Sequence, residues 1–203
     1  MFTIGDFDLL ATAIRMARDR MGTPRVHENG FIQLDLDSNY KWTPNLKGHS
    51  SEARLHVWPD GPLKHQATAS PIHDHRFGFN STVLKGVLHN ICYEFVLSQG
   101  AFGSHQVHIV KDGKLWATGL YGRPRELYHQ VVSAGGYYHT LPSELHESRA
   151  EGLTATIMVK TENWPHYPPR VICLAEQEPD NNFSREGDNP VELLWEYIDR
   201  ALR

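Results

Sequence analysis

Between residues 25 and 175 the chain is broken at short intervals into brief apolar or alternating runs. They read FIQLDLD, RLHVWPDGP, STVLKG, HNICYEFVLSQG, HQVHIVKDGKLWA, YYHTLP, LTATIMVKT and RVICLA, with Gly, Pro, Asn and Asp between them. Runs of this length suit strands rather than helices, and no helical pattern alternates with them. An all-β fold is expected, an antiparallel sandwich or barrel. The clearest hairpin is VHIV-KDGK-LWAT, where Asp112-Gly113 supplies the positive φ of a tight turn. No fixed-period repeat and no Gly-rich phosphate loop is present in the sequence.

Helical patterns flank this region. Phe7, Leu10, Ile14 and Ala17 recur at helical spacing within 6–21, and Gly22 and Pro24 stop the helix. Residues 176–189, EQEPDNNFSREGDN, read as a surface linker. A last helix follows, with Asn189 as N-cap, Pro190 as its first residue and Glu192 completing a capping box. Val191, Leu194, Trp195, Ile198 and Leu202 form its apolar stripe, which packs on the domain or against a second copy in a homodimer. The expected organisation is residues 1–24 as an N-terminal helix packed on a barrel, 25–175 as the barrel, and 176–203 as linker and C-terminal helix.

The 203 residues, 40% of them hydrophobic, support one sizeable core. Lys and Arg total 20 against 24 Asp and Glu, with no basic stripe, so nucleic acid is not the expected partner. No apolar run approaches the roughly 18 residues that cross a bilayer, so no membrane association is expected. The opening MFTIGDFDLL has acids where a signal peptide carries bases. With only Cys92 and Cys173, a reduced, cytoplasmic setting is expected. Cys92, within NICYEFV, reads as a buried hydrophobe rather than a nucleophile.

Thirteen histidines are the unusual count. In SPIHDHRFGFNSTVLKG, strand periodicity puts His73 and His75 on one side, able to face a single metal, with Asp74 pointing away. Phe77, Phe79 and Ser81 then follow inward, Arg76 faces away, and Gly86 ends the strand. A second segment, GGYYHTLPSELHES, offers His146 from a remote strand, and two ligands from one strand with a third from another is how a barrel builds a facial metal site. His139 is open to three readings: a fourth ligand, a proton carrier or a rim histidine. Glu144, brought round by the turn at Pro142, would make a two-histidine, one-carboxylate site. His105 and His108 flank Val107 and cannot both face inward.

These two segments resemble the motifs of the cupin superfamily, a His-x-His followed by Gly, then Gly, Pro and a final His. The resemblance covers roughly 55–160 and implies an all-β, cupin-type double-stranded β-barrel (a jelly roll) with helices at both ends. Carried over by position, it makes His73, His75 and His146 the metal ligands. Phe79 and Asn80 stand where many cupins supply a Glu, which is similar to the three-histidine thiol dioxygenases such as cysteine dioxygenase. In that family an arginine upstream binds the substrate carboxylate, and Arg54 is the nearest match; read from the residue alone it is either a carboxylate clamp or a surface arginine.

The expected cofactor is Fe(II), with Zn, Ni, Mn or Cu as alternatives. The expected function is oxygenation of a small anionic metabolite with dioxygen. Arg54 would orient the substrate and His139 would move protons. Two other readings stand beside it: a non-oxidative lyase, isomerase or hydrolase using the metal as Lewis acid, and a non-catalytic small-molecule-binding cupin.

Overall fold

Alternate residues of a single six-residue strand, Ala53–Trp58, divide between two environments, and the architecture follows that division. The computed structural model describes residues 4–16, 18–36, 52–61, 70–99, 103–176 and 189–203. In chain order these form helix α1 (Ile4–Met16), a 3-10 turn (Arg18–Arg20) and strands β1 (Arg25–Val26), β2 (Ile32–Asp35) and β3 (Ala53–Trp58). Then come β4 (Phe77–Leu97), β5 (His105–Lys111), β6 (Lys114–Ser133), β7 (Tyr137–Thr140), β8 (Leu145–Asn163), β9 (Arg170–Leu174) and helix α2 (Val191–Ala201). The fold is all-β with a helix at each end.

All pairings between strands are antiparallel, in the order β1-β2-β3-β8-β4-β6-β5-β9, with β7 against β4. β4 and β8 run 21 and 19 residues and pair along most of their length. The first half of β4 lies beside β7 and the second half of β8; its second half lies beside β6 and the first half of β8. Register slips between Val83 and Val87, where Gly86 takes φ 78°, and Gly152 in β8 takes φ 64°. Such bulges bend strands and sharpen their twist, so both strands pass from one sheet into a second. The second sheet closes through His73, which bridges Val171 of β9 and His146 of β8. Two sheets sharing their long strands, one closed on itself, make the expected cupin-type barrel.

The division in β3 sets the core. Leu55 and Val57 face outward with Leu34 and Ile157, beneath Ile14, Trp195 and Ile198 of the helices. Burying each such side chain contributes about 1.5–3 kcal/mol. Arg15 donates to the Leu202 carbonyl at 2.7 Å and the Arg18 guanidinium lies 4.4 Å over the Trp195 ring, tying the helices together. The stripe of α2 therefore packs on the sheet. Arg54, His56 and Trp58 turn to the barrel interior.

Several expectations need correction. α1 ends at Met16, and the chain tightens into the 3-10 turn instead of running to residue 21, a common way for a helix to end. The side chains of Phe7 and Ala17 lie outside the described residues, as does most of the linker, 177–188. α2 starts one residue later than expected: Pro190 holds ψ 135°, which is not helical, and no side chain caps the helix. Gly86 does not end a strand, because its positive φ serves a bulge. The Asp112-Gly113 turn is as expected, with φ of 52° and 72°. Among the described residues no helix is long and apolar enough to cross a membrane.

A Cβ at residue 86 would meet Thr154 Oγ1, the Leu153 carbonyl and Thr154 Cα, all within 2.9 Å, whereas one at residue 113 meets nothing within 4 Å. Gly113→Ala should cost about 1 kcal/mol for its φ alone, and Gly86→Ala clearly more. Urea denaturation of both variants checks this ordering.

Candidate metal centre

The centre begins with a backbone pair. His73 donates its N–H to the His146 carbonyl at 3.0 Å, and His146 returns one at 2.9 Å. Two residues exchanging both bonds lie opposite each other, with side chains on the same face. Their ring centroids are 4.9 Å apart. His75, two residues on, joins the same side at 4.8 Å from His73 and 5.3 Å from His146. One ligand atom from each lies within 4.8 Å of the others.

The donor set fits a metal. An ion about 2.1 Å from each nitrogen sits about 3.2 Å from each ring centre, so rings at 90–110° lie about 4.5–5.2 Å apart. The observed spacing is close to that, and the ring planes meet at 67–90°. His73 Nδ1–H donates to the Pro71 carbonyl at 2.8 Å, which leaves Nε2 its lone pair. The Thr140 hydroxyl lies 3.4 Å from Nδ1 of His146. His75 stacks on Phe77 at 4.9 Å. Burial pushes all three imidazoles below the usual histidine value, so they are neutral at pH 7, the form that binds metal.

Asp74 points away, as expected, and its role is structural. Its carboxylate, with no exposed surface, accepts from Tyr167 Oη, Arg170 N and Arg170 Nε, each at 2.6 Å. Arg170 also donates to the Ser143 carbonyl at 3.0 Å, and Ser143 N–H donates to the His75 carbonyl at 2.9 Å. One ion pair thus joins the segment bearing His73 and His75 to the turn leading into His146. The loop at Trp164–Tyr167 is held here by the Tyr167 hydroxyl and by Trp164 N–H donating to the Arg76 carbonyl at 2.6 Å.

The histidines open on a cavity of about 50 Å³. Arg54 lines it, with Nε 3.1 Å from Asp35. Burial raises the Asp35 carboxyl, but Arg25 and Arg54 outweigh this and hold it below the usual value. Phe31, Trp58, Phe77, Phe79 and Met158 supply apolar wall, and Tyr138 and Ser148 polar edges. Burial also keeps the Tyr138 phenol protonated by raising its pKa.

Other residues are not brought in. His139 is exposed on β7, because alternation turns Tyr138 and Thr140 inward instead. Glu144 accepts from Tyr128 Oη at 2.8 Å and from Leu141 N at 2.9 Å, so it closes its own turn and stands outside the three-histidine group. His108 is buried outside the cavity and His105 bonds Ser104. Burial pushes the Cys92 thiol up to about 11, consistent with an inert side chain. Sequence reasoning missed His27, Asn29, Gln33, His56 and Ser148 on the cavity wall. Alternation from Arg54 through RLHVW would have found His56.

No protein-family model and no curated protein matches the chain. Among solved structures, 65 chains match. Oxalate decarboxylase from Bacillus subtilis is 12% identical, over 72% of this chain and 28% of its own, with a TM-score of 0.36. Hydroxypropylphosphonic acid epoxidase from S. wedmorenis is 10% identical, over 70% and 56%, with a TM-score of 0.35. Hydroquinone 1,2-dioxygenase from Sphingomonas sp. TTNP3 is 14% identical, over 64% and 72%, with a TM-score of 0.31. The chain thus spans under a third of the oxalate decarboxylase. With TM-scores this low, the fold and the site rest on their own geometry.

Asp74→Ala should lose roughly 2–3 kcal/mol by leaving the Arg170 charge and the Tyr167 hydroxyl without their acceptor, and Tyr167→Phe about 1 kcal/mol. Urea denaturation followed by circular dichroism measures both; equal losses would remove the ion pair from its central place. His56 gives a pH test. Burial and then Arg54 push its pKa down to about 3, below the unfolded value near 6.5. Between those values the unfolded chain binds the extra proton, so this contribution is complete above pH 6.5 and is lost on acidification. The urea midpoint should fall from pH 7 to 4.5 less steeply in His56→Phe than in wild type. Identical slopes would show that His56 is not held neutral.

Proposed function

We propose that the chain is a cupin-type oxygenase that holds Fe(II) through His73, His75 and His146 and acts on a small anionic metabolite. The observation that carries this reading is the meeting of three neutral imidazoles on a small cavity whose wall also bears Arg54. When bound, Fe(II) supplies open coordination positions and redox chemistry with dioxygen. Three neutral ligands leave the ion's charge uncompensated, which favours an anionic substrate. Arg54, its Nε engaged by Asp35, presents a fixed guanidinium to a carboxylate. Tyr138 keeps its proton and lines the cavity as a hydrogen-bond donor. The aromatic wall excludes water from the reacting groups. His139 has no part in this scheme, because it faces solvent.

The test is anaerobic loading with Fe(II), followed by oxygen-electrode assays with short carboxylic and hydroxy acids. Oxygen uptake with one acid class is expected. His146→Ala should abolish both bound iron and uptake while the far-UV spectrum keeps its β character. Arg54→Gln should raise KM at least tenfold with a smaller change in kcat. Turnover without oxygen uptake would replace the oxygenase by Lewis-acid chemistry. Ligand binding that survives metal removal, with no turnover, would make the chain a binding protein.

A further inference from the structure

A second cluster of metal-binding side chains lies on the outside of the closed sheet. Adjacent strands β8, β4 and β6 carry Glu151, His89 and His129. In the register, Val87 is opposite Glu151, His89 opposite Arg149 and Val131, and Ile91 opposite His129. Strand alternation therefore puts the three side chains on one face, the reverse of the face carrying Leu88 and Asn90, which are fully buried. His89 Nε2 is 2.6 Å from Glu151 Oε1, and His89 Nδ1 is 2.8 Å from His129 Nε2. The His89 side chain is 21% exposed and that of Glu151 64%. Arg149, opposite His89, is tied to Glu147 by two hydrogen bonds of 2.6 and 2.9 Å.

This arrangement sets two ring nitrogens against each other, nearly end to end, with ring centroids 5.0 Å apart. Glu151 is an acceptor only, so His89 directs Nε2–H to it and turns Nδ1 toward His129. Nδ1 of His89 and Nε2 of His129 then share a single proton. A divalent ion about 2.1 Å from each of two imidazole nitrogens holds them about 3.0–3.4 Å apart. Admitting the ion opens the 2.8 Å gap by a few tenths of an ångström and turns the rings off their common line so that both nitrogens face it, a rotation that the exposed His129 ring is free to make. A carboxylate on the far nitrogen is the arrangement that fixes the ring of a metal-binding histidine.

We propose that His89 Nδ1 and His129 Nε2 form a second metal site, oriented by Glu151 and separate from the three-histidine group, that takes Zn²⁺, Cu²⁺ or Ni²⁺. Imidazole suits these ions. Two protein nitrogens leave the remaining coordination positions to solvent, so the site is weaker than the interior group and exchanges its ion readily.

The experiment is a Zn²⁺ titration of the full, untagged chain at pH 7.5, read by calorimetry and equilibrium dialysis. Wild type should bind two equivalents of unequal affinity. His129→Ala should lose the weaker one alone, and His73→Ala should keep it. Glu151→Gln should weaken it about tenfold, because outer partners of ligating histidines carry effects of that size. In wild type, sub-stoichiometric Ni²⁺ should broaden the ring resonances of His89 and His129, a readout that needs no variant. A weaker equivalent that survives His129→Ala, saturation of wild type with the His89 and His129 rings unbroadened, or equal broadening of all exposed histidines would overturn the site. If the tight equivalent is absent while the His129-dependent one is present, the interior reading fails and this one stands.

Discussion

The two backbone hydrogen bonds between His73 and His146 are the constraint on which the rest of the molecule depends. They close the second sheet, and the same closure sets two imidazoles on one face. Residue 73 has no long ladder to hold it, only one bridge to β8 and one to β9. Its neighbour supplies what the ladder lacks. The Asp74 carboxylate is fully desolvated, a cost that short bonds from Arg170 and Tyr167 offset. Placing an ion pair behind the histidines rather than among them keeps the donors neutral. The Asp74 charge does favour protonation of His73, but burial outweighs it.

Strand β3 links this centre to the helices. Leu55 and Val57 lie against α1 and α2, while Arg54 and His56 face the cavity. A slip of one residue would exchange every side chain between the faces. It would put a guanidinium and an imidazole against Ile14 and Ile198, and leucine beside the histidines. Among the described residues the helices pack on the other side of β3 from the cavity, and their apolar stripes fix the register that places the cavity wall.

Much of this was legible from local chemistry. The KDGK turn, the period-two runs and the His73/His75 pair depend on neighbours in the chain, and they stand where the sequence puts them. The second half of β6 was not legible. From Arg125 to Val131 each successive side chain is exposed, so no alternation marks RELYHQV as a strand; only pairing with β4 makes it one. Gly86 misled because positive φ serves a bulge as well as a turn. For YYHT, alternation predicts that Tyr138 and His139 part company, but only the pairing with Asn80 decides which of them faces solvent. Glu144 satisfies its own turn, a local bond that competes with any distant ligand role.

The two faces of the first sheet also differ in how fully their polar groups are satisfied. The helix-facing side of β3 and β8 is apolar at Leu55, Val57, Ala155 and Ile157. On the inner face, His56 and Thr156 are directly opposed, and His56 Nε2 and Thr156 Oγ1 have no hydrogen-bond partner among the described residues. Leaving a buried polar atom unpaired costs about 1–3 kcal/mol. An apolar side chain at each position would be the stable choice for a barrel that only had to fold. Rules of local consistency break at functional sites, and His56 is one of the side chains that line the cavity beside the three histidines. On β3 the apolar packing against the helices lies on one side, and the side chains that line the cavity lie on the other.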